Sequence, residues 1–372
     1  MDRVPGFEPG GYRFKSCSVR FIIMHSKFSI FCHTQSSYVD AICRRLGKGR
    51  HHASILYAHW FRKGEILGLE KLIEPQAVSL VREMIELTDF SLPLCSGSQE
   101  EGETRKFLLK MKDGLETESV LIPMDAGMTL CLSSQVGCRM SCAFCQTGKM
   151  GLVRQMTAAE IVAQVFYARF CLQKPIRNLV FMGMGEPLDN FDQVMQSVKV
   201  LTDPFGFGLG LSRITISTSG CVDGIYRLID EADPALNLAV SINAPSDEVR
   251  RKIMPVNRKW NMKELKTAML AYLAHPRREI LIGYVLLKGI NDSISDAEAL
   301  ADYLEGLSVK VNLIPYNPQQ RDRFSPPEPE AKEAFLAHLR LRGLRTLLRG
   351  TKGQKIMAAC GQLGNSFQKT TD

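Results

Sequence analysis

Short apolar runs and longer amphipathic segments alternate through the middle of the chain. Six short runs have the apolar, β-branched character of strands: MTLCLSS, NLVFMGM, RITISTS, LNLAVSI, EILIGYVLL and VKVNLIPY. The segments between them place apolar residues three and four apart, as helices do: AAEIVAQVFYARF, FDQVMQSVKVL, DGIYRLIDEA, MKELKTAMLAYLA and DAEALADYLEGL. Alternating strands and helices predict a parallel α/β sheet, either a full or partial barrel or an open doubly wound sheet. In each architecture ligands bind at the C-terminal ends of the strands.

The pattern before residue 128 is different. ILYAHWFRKGEIL and PQAVSLVREMIEL have a helical period and predict a small helical domain at 53–105, which ends in the polar linker SGSQEEGETR. KFLLKMKDGLETESVLIP then predicts a β-hairpin that turns at KDG and leads into the main domain, at 106–127. Residues 1–52 show no sustained period, although YVDAICRRL has the pattern of a short helix. For them we expect a disordered basic arm, or a start codon assigned too early with Met24 as a later start, rather than a folded element.

The composition is that of an ordinary globular protein, because 372 residues, 45% of them hydrophobic, can bury a large core. Lys and Arg number 47 against 39 Asp and Glu, and the net charge of +8 is compatible with a polyanionic partner without requiring one. No apolar run approaches the roughly 18 residues of a membrane span, so we expect a soluble, cytoplasmic protein with no membrane partner. Eleven cysteines favour metal-binding or catalytic thiols in a reducing cytosol over a secreted disulfide framework.

Three cysteines, Cys138, Cys142 and Cys145, lie on a loop after the first strand, in GCRMSCAFCQTG. A structural zinc ion takes four protein ligands, so zinc would need a fourth from elsewhere in the chain. A four-iron cluster bound by three thiolates leaves one iron open, which suits a catalytic site. The spacing favours a metal site over chance buried cysteines.

The next strand ends in FMGMGEP. Gly183 and Gly185 would let the backbone approach a ligand closely, and Glu186 could accept a hydrogen bond from an ammonium group. The alternative is a glycine turn capped by Pro187.

Two further thiols are candidates for chemistry. On its strand, Cys131 would share a face with Thr129, and leucines packed against outer helices would turn it inward, toward the cysteine loop. A small buried hydrophobe is the alternative for this residue. Cys360 lies in IMAACGQLGN, where small residues and glycine would let a loop carry a thiol into a pocket.

CRMSCAFC resembles the C-x3-C-x2-C motif of the radical S-adenosylmethionine (SAM) enzymes, including the aromatic Phe144 before the last cysteine. The resemblance implies a 4Fe-4S cluster on Cys138, Cys142 and Cys145, with SAM chelating the open iron through its amino and carboxylate groups. One electron from the cluster would cleave SAM to a 5'-deoxyadenosyl radical. The implied fold is the radical SAM partial (β/α)6 TIM-like barrel over residues 128–348, with the small helical domain N-terminal to it.

In their order along the chain, TLCLSSQVGCRMSCAFC, MGMGEPL, GFGLGLSRITISTSG, SINAPSDEVRRKIMPVN, VNLIPYNP and AACGQL resemble the bacterial dual-specificity adenine-C2 RNA methyltransferases, from about Ala53 to Gly364. The resemblance implies methylation of C2 of an adenine in the peptidyl-transferase region of 23S rRNA and of an adenine beside the anticodon of some tRNAs. Cys360, on a C-terminal tail at 349–372, would accept a methyl group from one SAM. The radical from a second SAM would convert this group into a methylene radical that adds to C2. Cys131 would then help to release the product through a transient disulfide with Cys360.

The same resemblance implies roles for other residues. Glu118 matches the position of a proton acceptor, with a solvated strand carboxylate as the alternative. The SAM-binding positions are matched by Gly185, Glu186, Ser217, Ser241, Ile242, Asn243 and Asn317. Asn243 stands where many members have histidine, and Tyr316 where tryptophan is frequent. The loop before Cys360 is basic and lacks the paired aspartates that family members often have there.

The target base must leave its stack to reach a buried site, so a splayed RNA loop is the expected substrate. We expect phosphate contacts from the helical domain, including Arg62 and Lys63, from RRK at 250–252, from NRKW at 257–260 and from the tail. The other expected partner is an electron donor such as a flavodoxin or ferredoxin system, and we expect a monomer. Two alternatives stay open: C8 methylation of the same rRNA adenine, and a non-catalytic iron-sulfur RNA-binding protein.

Overall fold

The computed structural model describes residues 27–319 and 322–364. Its strands are β1 (Phe28–Ser29), β2 (Thr88–Asp89), β3 (Leu94–Glu101), β4 (Thr104–Lys110), β5 (Glu116–Met124), β6 (Gly127–Cys131), β7 (Gln135–Gly137), β8 (Leu152–Gln155), β9 (Ile176–Phe181), β10 (Ile214–Thr218), β11 (Asn237–Ser241), β12 (Ile280–Leu286), β13 (Val309–Pro315) and β14 (Arg345–Leu348). Its α-helices are α1 (Gln35–Leu46), α2 (Arg50–Lys63), α3 (Val78–Leu87), α4 (Gln146–Met150), α5 (Ala158–Phe166), α6 (Phe191–Thr202), α7 (Val222–Glu231), α8 (Asp247–Ile253), α9 (Met262–Leu273), α10 (Ile294–Leu304) and α11 (Pro329–Leu341). Within these two ranges, no helix is long and apolar enough to cross a membrane.

A ten-stranded sheet forms the centre of the fold, in the order β14-β13-β12-β11-β10-β9-β6-β5-β4-β3. Neighbouring strands from β6 to β14 are parallel, and those from β3 to β6 are antiparallel. The six predicted strands and the helices between them are confirmed. The structure adds a further parallel strand, β14, preceded by α11, which the sequence pattern does not predict.

The two faces of the sheet have different neighbours, because successive side chains on a strand point to opposite sides. On β6, Leu130 and Leu132 are buried in the large core shared with the outer helices. Cys131 lies on the other face and lines a cavity. The prediction that the leucines turn Cys131 inward is therefore confirmed.

Residues 28–52 are folded, and the expectation of a disordered arm is wrong for them. Helix α1 begins after Thr34, whose hydroxyl accepts a hydrogen bond from the Ser37 amide. The Phe31 ring packs edge-on against Phe166 of α5, with centroids 5.1 Å apart, and Trp60 of α2 stacks on Phe166 at 4.8 Å. The local pattern of YVDAICRRL indicates the helix that the structure has as α1. Contacts with a segment distant in sequence, which the local pattern does not reveal, stabilise these short elements. The expectations for residues 1–26, including a later start at Met24, lie outside the described residues.

The stretch SGSQEEGETR is not a linker. Most of it belongs to β3, which pairs with β4 in an antiparallel hairpin. The predicted hairpin between β4 and β5 is confirmed, and β5 pairs in turn with β6. The boundaries expected at 53–105 and 106–127 therefore differ from the structure, where the helical elements occupy 28–89 and both hairpins belong to the main sheet. Gly and Glu are uncommon in strands. Because β3 contains several of them, its sequence has the composition of a loop and does not indicate a strand.

Candidate active site

A cavity of about 650 Å³ lies against the inner face of the sheet. The parallel strands contribute Thr129, Cys131, Asn178, Val180, Thr215, Leu281, Asn312, Ile314 and Leu347 to its wall. Because strands from β6 to β14 border one space, the sheet wraps around a common interior, as in a partial barrel.

Residues 349–364, which we call the closing segment, form the other wall of the cavity. The segment starts after β14 and reaches the opposite edge of the sheet, where the Lys355 amide donates to Glu101 Oε2 at 2.8 Å. It then contacts the loop of the three cysteines: the Gln146 amide donates to the Gly361 carbonyl at 2.7 Å, and Thr147 Oγ1 donates to the Leu363 carbonyl at 2.7 Å. The closing segment therefore bridges both edges of the sheet and covers the cysteine loop.

Cys131 and Cys360 line the same cavity, Cys131 from the sheet and Cys360 from the closing segment. Cys131 is buried and Cys360 is exposed. Burial raises the pKa of Cys131 to about 12, and the nearby Cys360 thiol adds to this rise. The structure therefore brings together two thiols that are far apart in the sequence.

Glu118 lies on β5, on the same face as Val120, which is directly opposite Cys131 on β6. Its side chain is fully buried, and Oε2 is 3.7 Å from the Lys106 ammonium nitrogen. The alternative of a solvated strand carboxylate is therefore wrong for Glu118.

The three cysteines of the motif lie on the loop between β7 and α4. The Cys138 amide donates to the Gly151 carbonyl at 2.9 Å, and the Ala143 amide donates to the Ile253 carbonyl of α8 at 2.9 Å. Burial raises the pKa of Cys138 to about 12 and also raises the pKa values of Cys142 and Cys145. The other thiols of the motif further raise the pKa values of Cys138 and Cys142.

Glu186 is buried at the end of β9. Its Oε2 accepts two hydrogen bonds from Ser219, one from the amide and one from the hydroxyl, each at 2.7 Å. Its Oε1 accepts from the Leu188 amide at 3.2 Å, and burial raises the pKa of the carboxyl group. A second lone pair on Oε1 leaves it able to accept from a ligand.

Gly183 and Gly185 lie where the chain passes close to its own backbone and side chains. A Cβ at Gly183 would lie 2.6 Å from the Leu132 carbonyl oxygen, and one at Gly185 would lie 2.6 Å from Gln135 Cβ. Gly185 also has a φ of +102°, which disfavours side chains. Both glycines allow the loop after β9 to pack closely against the residues that follow β6.

The remaining predicted cofactor residues lie at the ends of β10, β11 and β13. Ser217 and Ser241 are half-buried, and Ile242 is buried. Asn243 is in the left-handed region, and its Oδ1 accepts from the Val285 amide at 2.8 Å, so its side chain links β11 to β12. The Asn317 amide nitrogen donates to the Cys360 carbonyl at 3.2 Å, whereas Asn317 Oδ1 is buried with no hydrogen-bond partner among the described residues.

Arg250 has a role that the sequence does not indicate. The segment RRK was expected to contact RNA phosphates, but the Arg250 side chain is fully buried. Its guanidinium donates to the carbonyls of Ile242 (3.1 Å), Ser219 (2.6 Å) and Ser241 (3.1 Å), and to Asn257 Oδ1 (3.0 Å). Arg250 therefore joins the loops that follow β10 and β11, and the phosphate contact expected of it is wrong.

Arg250→Met should lower the free energy of unfolding by about 3–5 kcal/mol, because it leaves several buried acceptors without a donor. Arg251→Met is the matched control, since Arg251 is exposed on the same helix, and it should change this free energy by less than about 0.5 kcal/mol. Equilibrium denaturation followed by circular dichroism measures both. Equal losses in the two variants would contradict the role of Arg250.

Known proteins resemble this chain over most of its length. The family model described as the Radical SAM superfamily matches residues 132–304. The chain is 56% identical over 337 residues to the "Probable dual-specificity RNA methyltransferase RlmN 1" of Protochlamydia amoebophila. The matched region covers 91% of this chain and 94% of that protein. The chain belongs to the RlmN family. It is also 45% identical over 266 residues to the dual-specificity RNA methyltransferase RlmN of Geotalea uraniireducens, covering 72% of this chain and 76% of that protein.

A solved structure has the same fold over most of this chain. The crystal structure of a radical SAM methyltransferase from Sphaerobacter thermophilus matches with a TM-score of 0.85 and 35% identity, covering 90% of this chain and 99% of that one. The predicted radical SAM α/β fold is thereby confirmed. Membership in the superfamily implies a 4Fe-4S cluster and SAM as cofactors.

The residues of this RlmN-family chain suit such a cluster. Cys138, Cys142 and Cys145 are thiols on one loop, and thiolates are the ligands that hold the irons of a 4Fe-4S cluster. The unpartnered Asn317 Oδ1 would suit a hydrogen-bond donor of SAM.

Proposed function

We propose that this RlmN-family protein methylates C2 of a specific adenine in 23S rRNA and of an adenine next to the anticodon in some tRNAs. The observation that carries the proposal is the convergence of Cys131 and Cys360 on one cavity, beside the loop of the three cysteines. A non-catalytic iron-sulfur RNA-binding protein would need no such pair of thiols.

The chemistry of the target explains why two kinds of thiol are needed. C2 of adenine is an electron-poor carbon and a poor nucleophile, so it cannot displace a methyl group from SAM directly. Cys138, Cys142 and Cys145 would hold the cluster, which with bound SAM would supply a 5'-deoxyadenosyl radical. Cys360 would hold the methyl group, which would give a hydrogen atom to that radical and become the methylene radical that adds to C2, so that one difficult transfer is divided into easier steps. Each turnover then uses two SAM molecules, one for the methyl group and one for the radical.

The described residues also provide for proton transfer and product release. Glu118 faces the cavity side of the sheet, where it would accept the proton that leaves C2. After the new carbon–carbon bond has formed, Cys131 would attack the Cys360 sulfur: an S–S bond forms and the bond between the Cys360 sulfur and the methylene carbon breaks. The methylene carbon would take up the thiol proton of Cys131 to become the methyl group, the one electron left over would return to the cluster, and a disulfide would remain. The disulfide must be reduced before the next turnover, which suits a cytoplasmic location.

Binding of RNA is assigned to cationic surface around the cavity and on the helices at 28–89. Arg62 lies on the surface near the end of α2, and Arg251 and Lys252 are exposed on α8. Arg349 and Lys352 lie beside Cys360 at the cavity, where they would hold phosphates near the thiol. A flavodoxin or ferredoxin system would supply the electron, and the protein would act as a monomer.

The test is to identify the methylated isomer. In rRNA from a strain that lacks this protein, 2-methyladenosine should fall to background in nucleoside digests resolved by mass spectrometry, and expression of the chain should restore it. The second candidate, methylation at C8, predicts loss and return of 8-methyladenosine instead. If 2-methyladenosine persists undiminished in the deletion strain, the proposed function is wrong.

A further inference from the structure

A buried lysine lies between the predicted proton acceptor and the closing segment. The Lys106 side chain on β4 is 3% exposed, and its ammonium nitrogen is 3.7 Å from Oε2 of the fully buried Glu118. The same nitrogen donates to the Met357 carbonyl at 3.4 Å. Lysine is almost never buried unless its charge is paired, so this position calls for a specific partner.

The pairing of the strands places Lys106 on the cavity side of the sheet. Lys106 lies opposite Val120 of β5, and Val120 lies opposite Cys131 of β6. The residues on either side of Lys106 therefore point the other way, and Phe107 is buried in the large core. Lys106, Val120 and Cys131 are therefore aligned across three neighbouring strands. Glu118 lies two residues before Val120 on β5, so its side chain points to the same face of the sheet.

The second contact of Lys106 reaches the chain that carries Cys360. Met357 is three residues before Cys360 and has a φ of +51°, in the left-handed region that residues other than glycine adopt at a cost. The hydrogen bond from Lys106 to the Met357 carbonyl helps to hold this conformation. A single ammonium group therefore contacts both the predicted proton acceptor and the backbone that positions the methyl-carrying thiol.

We propose that Lys106 is a positioning residue for proton removal from the RNA base. Its ammonium group pairs with the Glu118 carboxylate inside the protein and holds that carboxylate in place on the cavity side of the sheet. When the C2–H bond breaks, its electron pair stays in the ring and the proton moves to Glu118, while Lys106 keeps the carboxyl group in place. The proposal rests on the proposed function, specifically on Glu118 as the proton acceptor.

A double-mutant cycle in the full-length, anaerobically reconstituted protein tests this role. Lys106→Met removes the charge, Lys106→Arg retains it, and Glu118→Gln removes the acceptor. Without its cationic partner the carboxylate is no longer held in position to accept the proton, so K106M should slow RNA methylation about 10²-fold, as E118Q should. K106R should stay within about tenfold of the native rate. The double variant K106M/E118Q should be no slower than E118Q, because the two residues act as one unit.

Matched controls separate this role from simple loss of structure. Lys110→Met changes an exposed lysine on the same strand and should keep the native rate. Mass spectrometry of the purified variants should find Cys360 methylated to the native extent in K106M. If K106M does not fold, the comparison of E118Q with the double variant decides, since the double variant contains no unpaired buried charge.

Three results would overturn the proposal. Losses that multiply, to about 10⁴-fold in K106M/E118Q, would mean that Lys106 acts independently of Glu118. Failure of K106R to recover activity over K106M would exclude a role for the charge. Full activity of E118Q would remove the acceptor on which the role of Lys106 depends. Failure of the proposed function is distinct from all three, because the native protein would then form no 2-methyladenosine in RNA.

Discussion

Replacing Cys360 by alanine will abolish methyl transfer to RNA while the protein still binds its iron-sulfur cluster. In the proposed reaction the Cys360 sulfur carries the group that is transferred, so no other side chain can substitute for it. We expect the rate of RNA methylation to fall by about 10⁴-fold or more, as when the nucleophile of a covalent catalyst is removed. The thiol is exposed and its neighbours are small, so the substitution should cost little stability. Nucleoside mass spectrometry measures the product, and visible absorption measures the cluster.

Cys171→Ala is the matched control for this experiment, because Cys171 is also an exposed thiol but lies in the helical turn that continues α5. It should methylate RNA at the native rate. Methyl transfer by Cys360→Ala would show that the methyl group does not pass through this sulfur. The covalent route would then be wrong even if the product were 2-methyladenosine.

Cys142→Ala should remove the cluster itself. The cysteine loop provides three thiolate ligands for the four irons of the cluster. The variant would provide only two, which should not be enough to hold the cluster. Loss of groups that merely orient a metal ligand weakens metal binding about 10–100-fold, so loss of a ligand should exceed about 10²-fold. Iron content after anaerobic reconstitution and formation of 5'-deoxyadenosine from SAM should both fall to background.

The matched control for Cys142 is Cys221→Ala. Cys221 is a buried thiol outside the motif, and its sulfur lies 3.9 Å from Met140 Sδ in the cysteine loop. We expect this variant to retain both iron and cleavage of SAM. If Cys221→Ala lost the cluster as Cys142→Ala does, Cys221 would be a fourth protein ligand, and the open iron on which the reaction depends would not exist.

The sequence predicts the parallel strands and the placement of Cys131 because both depend on local periodicity. Leu130 and Leu132 alternate with Cys131, and the pleat of a strand then assigns them to opposite faces. The order of strands follows from short connections and the handedness of crossovers. By contrast, β3 has the composition of a loop, and its pairing with β4 becomes evident only in three dimensions.

Residues whose roles depend on long-range contacts could not be predicted. Arg250 follows the pattern of a charged surface residue, yet it is buried because three loop carbonyls and Asn257 receive its hydrogen bonds. The glycines before Glu186 indicate a close approach, but the sequence does not reveal that Leu132 and Gln135 fill the space. Asn243 has a polar side chain suited to a ligand, and in the structure its Oδ1 accepts a hydrogen bond from the Val285 amide, which links β11 to β12.

The closing segment has a consequence for the order of events during biosynthesis. Ribosomes make the cysteine loop well before residues 349–364, whose Gly361 and Leu363 carbonyls later bond to Gln146 and Thr147. Until translation reaches that point, the three thiols of the nascent chain lack this cover. If iron and sulfide bound at that stage, the cysteine loop would be accessible to them. Once residues 349–364 had been synthesised, they would cover the loop and limit the access of oxygen to the cluster.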